Sequence, residues 1–167
     1  EWLEKQLPFP TYRVSSGNIK SDIQKGVNTT GTRFVAMPFF TREGGMGMRQ
    51  CTNEYKIVPL KKKTRELLGL KPRQRAKDEV SETWLGISWD EMQRMKESRD
   101  KFIYHRFPLI EKQMRRHHCM TWFEEHYPGR TLAKSACIAC PFHSNDLWRD
   151  MKINDPESFK EAIAFDK

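Results

Sequence analysis

The sequence has no long hydrophobic run, no internal repeat and no low-complexity linker. None of its apolar stretches approaches the roughly 20 residues that a membrane-spanning helix needs, so we expect no membrane partner. The opening residues, EWLEK, are acidic and amphipathic, which is not typical of a secretory signal peptide. These absences predict a cytoplasmic protein.

The composition predicts a folded chain. Of the 167 residues, 37% are hydrophobic, and 5 Trp and 10 Phe supply large side chains for a core. This length is typical of one domain, so we expect a single domain over 1–167. The hydrophobic pattern predicts a helix-rich α/β chain with two or three strands, among them 11–15 and 79–87. Four tryptophans are interpreted mainly as core residues: Trp84, Trp89, Trp122 and Trp148.

Helices are predicted from start and stop signals. Asn18 caps a short helix that Gly26 ends, and a longer helical pattern over 54–68 ends at Gly69. Pro59 lies inside that pattern, which predicts a helix start or a kink near this residue. Ser88 and Glu91 form a capping-box pattern for a helix to about residue 97, which also explains the adjacent carboxylate of Asp90. Further helices are predicted over 110–126, after Ser144, and after Asp155 with Pro156 in the first helical position.

The charge is strongly basic. Thirty Lys and Arg against 22 Asp and Glu leave a formal net charge of +8. The basic residues cluster at 61–63, 71–77 and 115–118, which favours an anionic partner such as a nucleotide or a nucleic acid. A solvated basic surface explains the same charge, and the count alone does not choose between them.

Four cysteines form the clearest chemical pattern: Cys51, Cys119, Cys137 and Cys140. The last two make a C-x-x-C pair followed by Pro141, as in many cluster-binding cysteine runs. In a reducing compartment four cysteines rarely form disulfides, which favours a metal site over two bridges. Zinc fits the same sulfurs, with His143, His117 or His118 as substitute ligands, and unrelated thiols remain an alternative. Spacing alone does not separate zinc from iron–sulfur.

Three motifs together resemble a known family. They are 49–59 (RQCTNEYKIVP), 85–91 (LGISWDE) with Arg94, and 134–143 (KSACIACPFH) with Trp148. In this order they are similar to the phosphoadenosine-phosphosulfate (PAPS) reductase-like branch of the adenine nucleotide alpha-hydrolase superfamily, common in bacteria and phages. The Ser-Gly-Gly-x-Asp-Ser-type pyrophosphate loop of that family is missing, and the Gly-rich stretch 43–47 is a poor substitute because it does not open a helix after a strand. The resemblance is therefore to the family's C-terminal portion.

The resemblance implies a Rossmann-like parallel sheet, incomplete at its N-terminus, with a helix-rich C-terminal part. It also implies a [4Fe–4S] cluster on Cys51, Cys119, Cys137 and Cys140, and an adenine nucleotide or sulfonucleotide as partner. The implied activity is nucleotide-dependent sulfur transfer or sulfonucleotide reduction, so the chain is expected to be part of a sulfurtransferase or oxidoreductase. The alternative is a non-catalytic, zinc-stabilised module that binds nucleic acid through a basic face.

Candidate anion-binding residues follow from their charge and position. Arg49 and Lys56 flank Cys51, where they would neutralise a negative cluster or hold a phosphate or sulfate. Arg94 and Arg115 are further candidates, because a guanidinium binds phosphoryl oxygens through two parallel hydrogen bonds. An ordinary surface role explains each of the four as well.

Overall fold

A computed structural model describes residues 2–32, 37–40, 43–78, 80–130 and 137–165. The chain forms two compact units. Unit 1 comprises residues 1–63 and 135–167, and unit 2 comprises residues 64–134. The expectation of a single domain over 1–167 stays a prediction. None of the helices within the described ranges combines the length and the apolar character that crossing a membrane requires.

Unit 1 begins with a 3₁₀ turn, Leu3–Lys5, followed by helix α1, Ile19–Gln24. The side chain of Asn18 accepts hydrogen bonds from the backbone N–H groups of Lys20 and Ser21 at 3.0 and 3.3 Å. These bonds satisfy two of the donors that a helix start leaves unpaired. The predicted cap is therefore confirmed, and Gly26 ends the turn with a φ of 68°.

A second helical stretch of unit 1 begins at Cys51. Its first part, Asn53–Ile57, is a π-helix, and it continues as helix α2, Val58–Leu67, across the division between the units. The change from π to α comes directly before Pro59, whose ring would clash with the carbonyl of Tyr55 in a regular α-helix. The wider π turn accommodates that proline, so the predicted irregularity near Pro59 is confirmed.

The two helices predicted after Ser144 and after Asp155 form a packed pair at the end of unit 1. Helix α5 is Asn145–Asn154 and helix α6 is Pro156–Phe165. The hydroxyl of Ser144 accepts from the backbone N–H of Leu147 at 3.2 Å, and the Asp155 carboxylate accepts from Ser158 at 3.2 Å. Both predicted starts are confirmed, because capping depends on residues within one turn of the helix end.

The helix pair of unit 1 packs through aromatic contact. The rings of Trp148 and Phe159 meet edge to face with centroids 6.5 Å apart. Ala162 is buried, at 6% exposed, and Lys20 forms an ion pair with Glu161 that links α1 to α6. A small buried residue allows close approach of the surrounding chain, so Ala162 marks a packed part of unit 1 at α6.

Unit 2 contains a two-stranded parallel sheet. Strand β1, Ser81–Trp84, pairs with strand β2, Ile103–Arg106, with Ser81 opposite Ile103 and Trp84 opposite Arg106. Leu70, 7% exposed, is a buried hydrophobic residue of this unit. Helices and a parallel strand pair confirm the coarse prediction of an α/β chain.

The helices of unit 2 differ from the prediction at one break. The expected single helix over 110–126 is wrong: the structure has α3, Pro108–Glu111, and α4, Arg116–His126. Between them Gln113 has a φ of 53°, a left-handed conformation that no continuous α-helix contains. The predicted end before Pro128 is confirmed by Tyr127 as the C-terminal cap.

The capping box at Ser88 is also wrong. Residues Trp89–Arg94 form a 3₁₀ helix, and the Ser88 side chain makes no cap hydrogen bond to it. Instead the Ser88 hydroxyl bonds to the Asp90 carboxylate at 3.3 Å, while Glu91 pairs with Arg94. Because the Ser88 and Glu91 side chains are bonded to Asp90 and Arg94, they do not form the reciprocal hydrogen bonds of a capping box.

Three other expectations are corrected. Residues 11–15 form no strand, and β2 was not predicted. Two of the four tryptophans assigned to the core are exposed: Trp84 at 63% and Trp122 at 48%. Trp84 lies under the Arg106 guanidinium, 5.2 Å from its ring centroid, which gives the exposed ring a polar neighbour.

One hydrogen bond fixes the helix that follows Cys51. The Tyr55 hydroxyl donates to the Asp22 carboxylate at 2.5 Å, and burial together with this bond raises the pKa of Tyr55. We expect Tyr55→Phe to lower the free energy of unfolding by about 1–3 kcal/mol, the usual contribution of a hydrogen bond to a charged group. Urea unfolding measures the change.

The matched control for this prediction is Tyr12→Phe. Tyr12 is half exposed, and its recorded contact is through the ring, with the Lys63 ammonium 4.5 Å from the centroid. Loss of its hydroxyl should leave stability unchanged. Equal effects of the two substitutions would contradict the role given to the Tyr55 bond.

Candidate metal centre

Three of the four cysteines belong to unit 1. Cys51 opens the helical stretch before α2, and Cys137 and Cys140 lie in the turns that precede α5. Cys119 lies in α4 of unit 2. Unit 1 therefore contains the C-x-x-C pair and one further cysteine far from it in sequence.

The C-x-x-C segment is built from two successive turns. The backbone N–H of Cys140 donates to the Cys137 carbonyl at 3.1 Å, and the N–H of His143 donates to the Cys140 carbonyl at 3.1 Å. The local backbone thus connects Cys137, Cys140 and His143 through two consecutive turns. Part of the motif that precedes them, 134–136, lies outside the described residues.

The electrostatics of Cys137 indicate which groups surround it. Partial burial of the thiol, followed by the nearby thiols of Cys140 and Cys51, raises the pKa of Cys137, although the residue as a whole is exposed. The positive charges of Lys56 and Arg49 act in the opposite direction. Three thiols and two cations of unit 1 therefore lie close enough to influence one another.

His143 has a distinctive position beside this group. Both of its ring nitrogens are buried and have no hydrogen-bond partner. Burial lowers the pKa of His143, and the nearby backbone of Cys137 opposes this effect without forming a bond that satisfies either nitrogen. The ring packs against Trp148, with centroids 4.8 Å apart. A neutral imidazole with unpaired buried nitrogens is the form that binds metal ions.

The donor types of unit 1 fit a metal or an iron–sulfur cluster. Thiolate sulfur and imidazole nitrogen are the ligands that zinc and iron–sulfur centres use. Across the described ranges, however, no three side chains of His, Cys, Asp or Glu already stand at the separation of metal ligands. The structure thus brings the donors into one neighbourhood without closing them around a common point.

The four predicted anion-binding residues are all exposed, and they divide between the units. In unit 1, the Arg49 guanidinium lies over the Phe142 ring, 5.2 Å from its centroid, and Lys56 lies in the π-helix after Cys51. In unit 2, Arg94 is paired with Glu91 at 2.5 Å, and Arg115 precedes α4. Arg49 and Lys56 accompany the cysteines, whereas Arg94 already has an anionic partner.

The Gly-rich segment 43–47 closes a turn. Its described part has an isolated bridge between Phe40 and Met46, and the Gly47 N–H donates to the Phe39 carbonyl at 2.9 Å. A Cβ atom at Gly47 would approach the Phe39 ring to 3.2 Å, so glycine allows the close contact. The segment opens no helix, as expected from its sequence context.

Sequence reasoning missed one residue near the cysteines. Glu54 is buried, at 7% exposed, and lies in the π-helix one turn after Cys51. The Thr29 hydroxyl donates to its carboxylate at 3.4 Å. The buried carboxylate is therefore held within the π-helix by a polar partner, and no pattern in the sequence marks it as buried.

Comparisons of the chain with family models, with curated proteins and with solved structures find no match.

Asp90, considered above as a carboxylate of interest, has a structural contact. Its two oxygens accept from the backbone N–H of Arg116, at 3.1 and 3.2 Å, at the start of α4. Desolvation raises the pKa of Asp90, but these bonds and that from Ser88 together bring it below its usual value. The ionised carboxylate therefore stabilises unit 2.

This contact predicts a pH dependence. Because the folded pKa is lowered, the stabilisation is complete above the unfolded pKa, about 3.9, and is lost as the pH falls through the folded value. Asp90→Ala should be less stable than wild type at pH 7, and the difference should shrink below about pH 4. Urea unfolding at pH 7 and pH 3 measures it.

Asp90→Asn is the control, because the amide oxygen still accepts a hydrogen bond and carries no titratable charge. Its stability should lack this pH-dependent contribution. A gap between wild type and Asp90→Ala that is as large at pH 3 as at pH 7 would show that ionisation of Asp90 is unimportant.

Proposed function

We propose that this chain is an iron–sulfur protein of the PAPS reductase-like class that takes part in nucleotide-dependent sulfur transfer or sulfonucleotide reduction. The observation that carries the proposal is the neighbourhood of Cys51, Cys137 and Cys140 in unit 1. This neighbourhood brings together cysteines from two of the three motifs on which the resemblance rests, 49–59 and 134–143. The proposal includes a Rossmann-like parallel sheet. The support for it is the direction of strands β1 and β2, which run parallel.

The charges of unit 1 support a cluster chemically. Burial first, and then the neighbouring thiols of Cys140 and Cys51, raise the pKa of Cys137. A cluster with iron would bind all of these sulfurs in their ionised form, and the net negative charge would be offset by Arg49 and Lys56. When bound, such a cluster supplies one-electron redox chemistry, with a potential that depends on nearby charges and hydrogen bonds.

The same two cations support an anionic substrate. Arg49 and Lys56 are exposed, so their charged ends are accessible to a phosphate or sulfate group beside the cysteines. Charge-assisted hydrogen bonds from these side chains would hold an adenine nucleotide or sulfonucleotide by its oxyanions. Arg94 and Arg115 of unit 2 stay predictions for the same role.

The fourth ligand and the location remain part of the proposal. The sequence prediction adds Cys119 as the fourth ligand of the cluster, and this assignment stays a prediction. An iron–sulfur protein with four free cysteines is consistent with a reducing, cytoplasmic location.

Metal analysis of anaerobically purified protein tests the proposal. We expect about four iron and four acid-labile sulfide ions per chain, as a [4Fe–4S] cluster contains. Cys140→Ser should lower both by roughly tenfold or more, because it removes a ligand from the C-x-x-C pair. The control Lys160→Ser, on an exposed position of α6, should leave both unchanged.

Two results would contradict the proposal. Stoichiometric zinc without sulfide would favour the alternative, a zinc-stabilised module that binds nucleic acid through its basic residues. Iron that persists unchanged in Cys140→Ser would separate the metal from these cysteines.

A further inference from the structure

Helix α4 of unit 2 has a surface that the proposed function leaves without a role. Of its residues, Arg116–His126, all but Cys119 and Phe123 are exposed. Within the described part of unit 2, no other helix or strand packs extensively against it. A helix of 11 residues has little stability in water without tertiary packing. A partner bound to the exposed side would therefore stabilise α4.

Three rings lie along one side of this helix. His118, Trp122 and His126 are spaced by four residues, which places them one above the other on the helix surface. The Trp122 ring, 48% exposed, stacks on the His126 ring with centroids 4.1 Å apart and an interplanar angle of 21°. The helix thus presents a flat pair of exposed aromatic rings to solvent.

Positive charge is concentrated at the start of the same helix. Lys112, Arg115 and Arg116 are exposed, and no Asp or Glu occurs over 112–123. Among the described residues, neither Lys112 nor Arg116 forms an ion pair. The Asp90 carboxylate accepts from the backbone N–H of Arg116, so it occupies the helix start and offsets one of the three charges. An anion beside α4 would therefore be held by the cationic side chains.

His118 adds a hydrogen-bond donor between the cations and Trp122. Its Nδ1 accepts from the backbone N–H of Arg115 at 3.1 Å, which leaves the proton of the neutral ring on Nε2. Farther along, Glu124 and Glu125 are exposed in the second half of the helix. Their charge repels anions, which restricts a phosphate group to the first half of α4.

We propose that this side of α4 binds single-stranded nucleic acid. Lys112 and Arg116 hold phosphate groups of the strand, with His118 as a further donor. Trp122, supported by His126, stacks against a base. Stacking on an exposed ring needs a base that is not already paired and stacked inside a duplex, which favours a single strand over a double helix. The inference concerns unit 2 alone and does not depend on the metal centre.

The test measures binding of the full chain to a fluorescently labelled single-stranded DNA of about 12 nucleotides, within the span of one binding module. Trp122→Leu removes the ring and keeps a good helix former, so the affinity should fall by about 5-fold or more, as expected for the loss of one stacked base. Trp122→Phe keeps a ring and should retain most of the affinity.

Trp84→Leu is the matched control. Trp84 is also an exposed tryptophan of unit 2, at 63%, but it lies on β1 beside Arg106. Its replacement should leave the affinity for the oligonucleotide unchanged. Circular dichroism of each variant shows whether the fold is retained, and the conservative Trp122→Phe separates loss of the ring from loss of the helix.

Salt dependence tests the phosphate contacts separately. The logarithm of the affinity should fall linearly with the logarithm of the salt concentration, with a slope of about 0.7 for each phosphate neutralised on a single strand. Arg116→Gln should reduce that slope by about this amount. Arg75→Gln, in the exposed basic cluster 71–77 of the same unit, should leave it unchanged.

The same measurement is made with a single-stranded RNA of equal length and with a DNA duplex. Binding of either single strand supports the proposal, and the comparison of the two shows which sugar is preferred. An unchanged affinity in Trp122→Leu, an equal loss in Trp84→Leu, or a duplex that binds as tightly as the single strand would overturn it. So would the absence of binding to both single strands at low salt. The iron and sulfide contents of the same samples report on the proposed function independently.

Discussion

The contact between Trp148 and its two ring neighbours connects the cysteine segment to the helices of unit 1. One neighbour is His143, in the turn after the C-x-x-C pair, and the other is Phe159 of α6. Aromatic pairs of this kind add about 0.5–1.5 kcal/mol beyond the area they bury. The α5–α6 pair thus provides the packed support against which a loop without regular structure holds its donors.

Electrostatics sets the second constraint on unit 1. Burial and the neighbouring thiols raise the pKa of Cys137, and the positive charges of Lys56 and Arg49 oppose this rise. Both cations are near Cys51 in sequence, so one segment brings a thiol and its compensating charges at the same time. This arrangement suits a negatively charged centre, and it gives the exposed cations a second use toward an anionic substrate.

The sequence was most informative where structure depends on neighbouring residues. Caps at Asn18, Ser144 and Asp155, and the irregular helix near Pro59, follow from bonds within one turn. Strand β2 was missed because its pairing with β1 is a contact distant in sequence, and 11–15 was wrongly made a strand because no partner was required of it. The left-handed Gln113 that divides α3 from α4 has no signal in residue type.

The candidate site was also predictable from the sequence only where it depends on neighbouring residues. The C-x-x-C pair and its histidine are readable from spacing, whereas the grouping of Cys51 with them depends on how unit 1 folds. The position of Cys119 in unit 2 and the burial of the His143 nitrogens were not predictable from any pattern of residues.

X-ray absorption at the metal edge tests the central claim most directly. The account predicts a first shell of sulfur around iron, as in a cluster bound by cysteine, and a first shell made only of oxygen and nitrogen would contradict it.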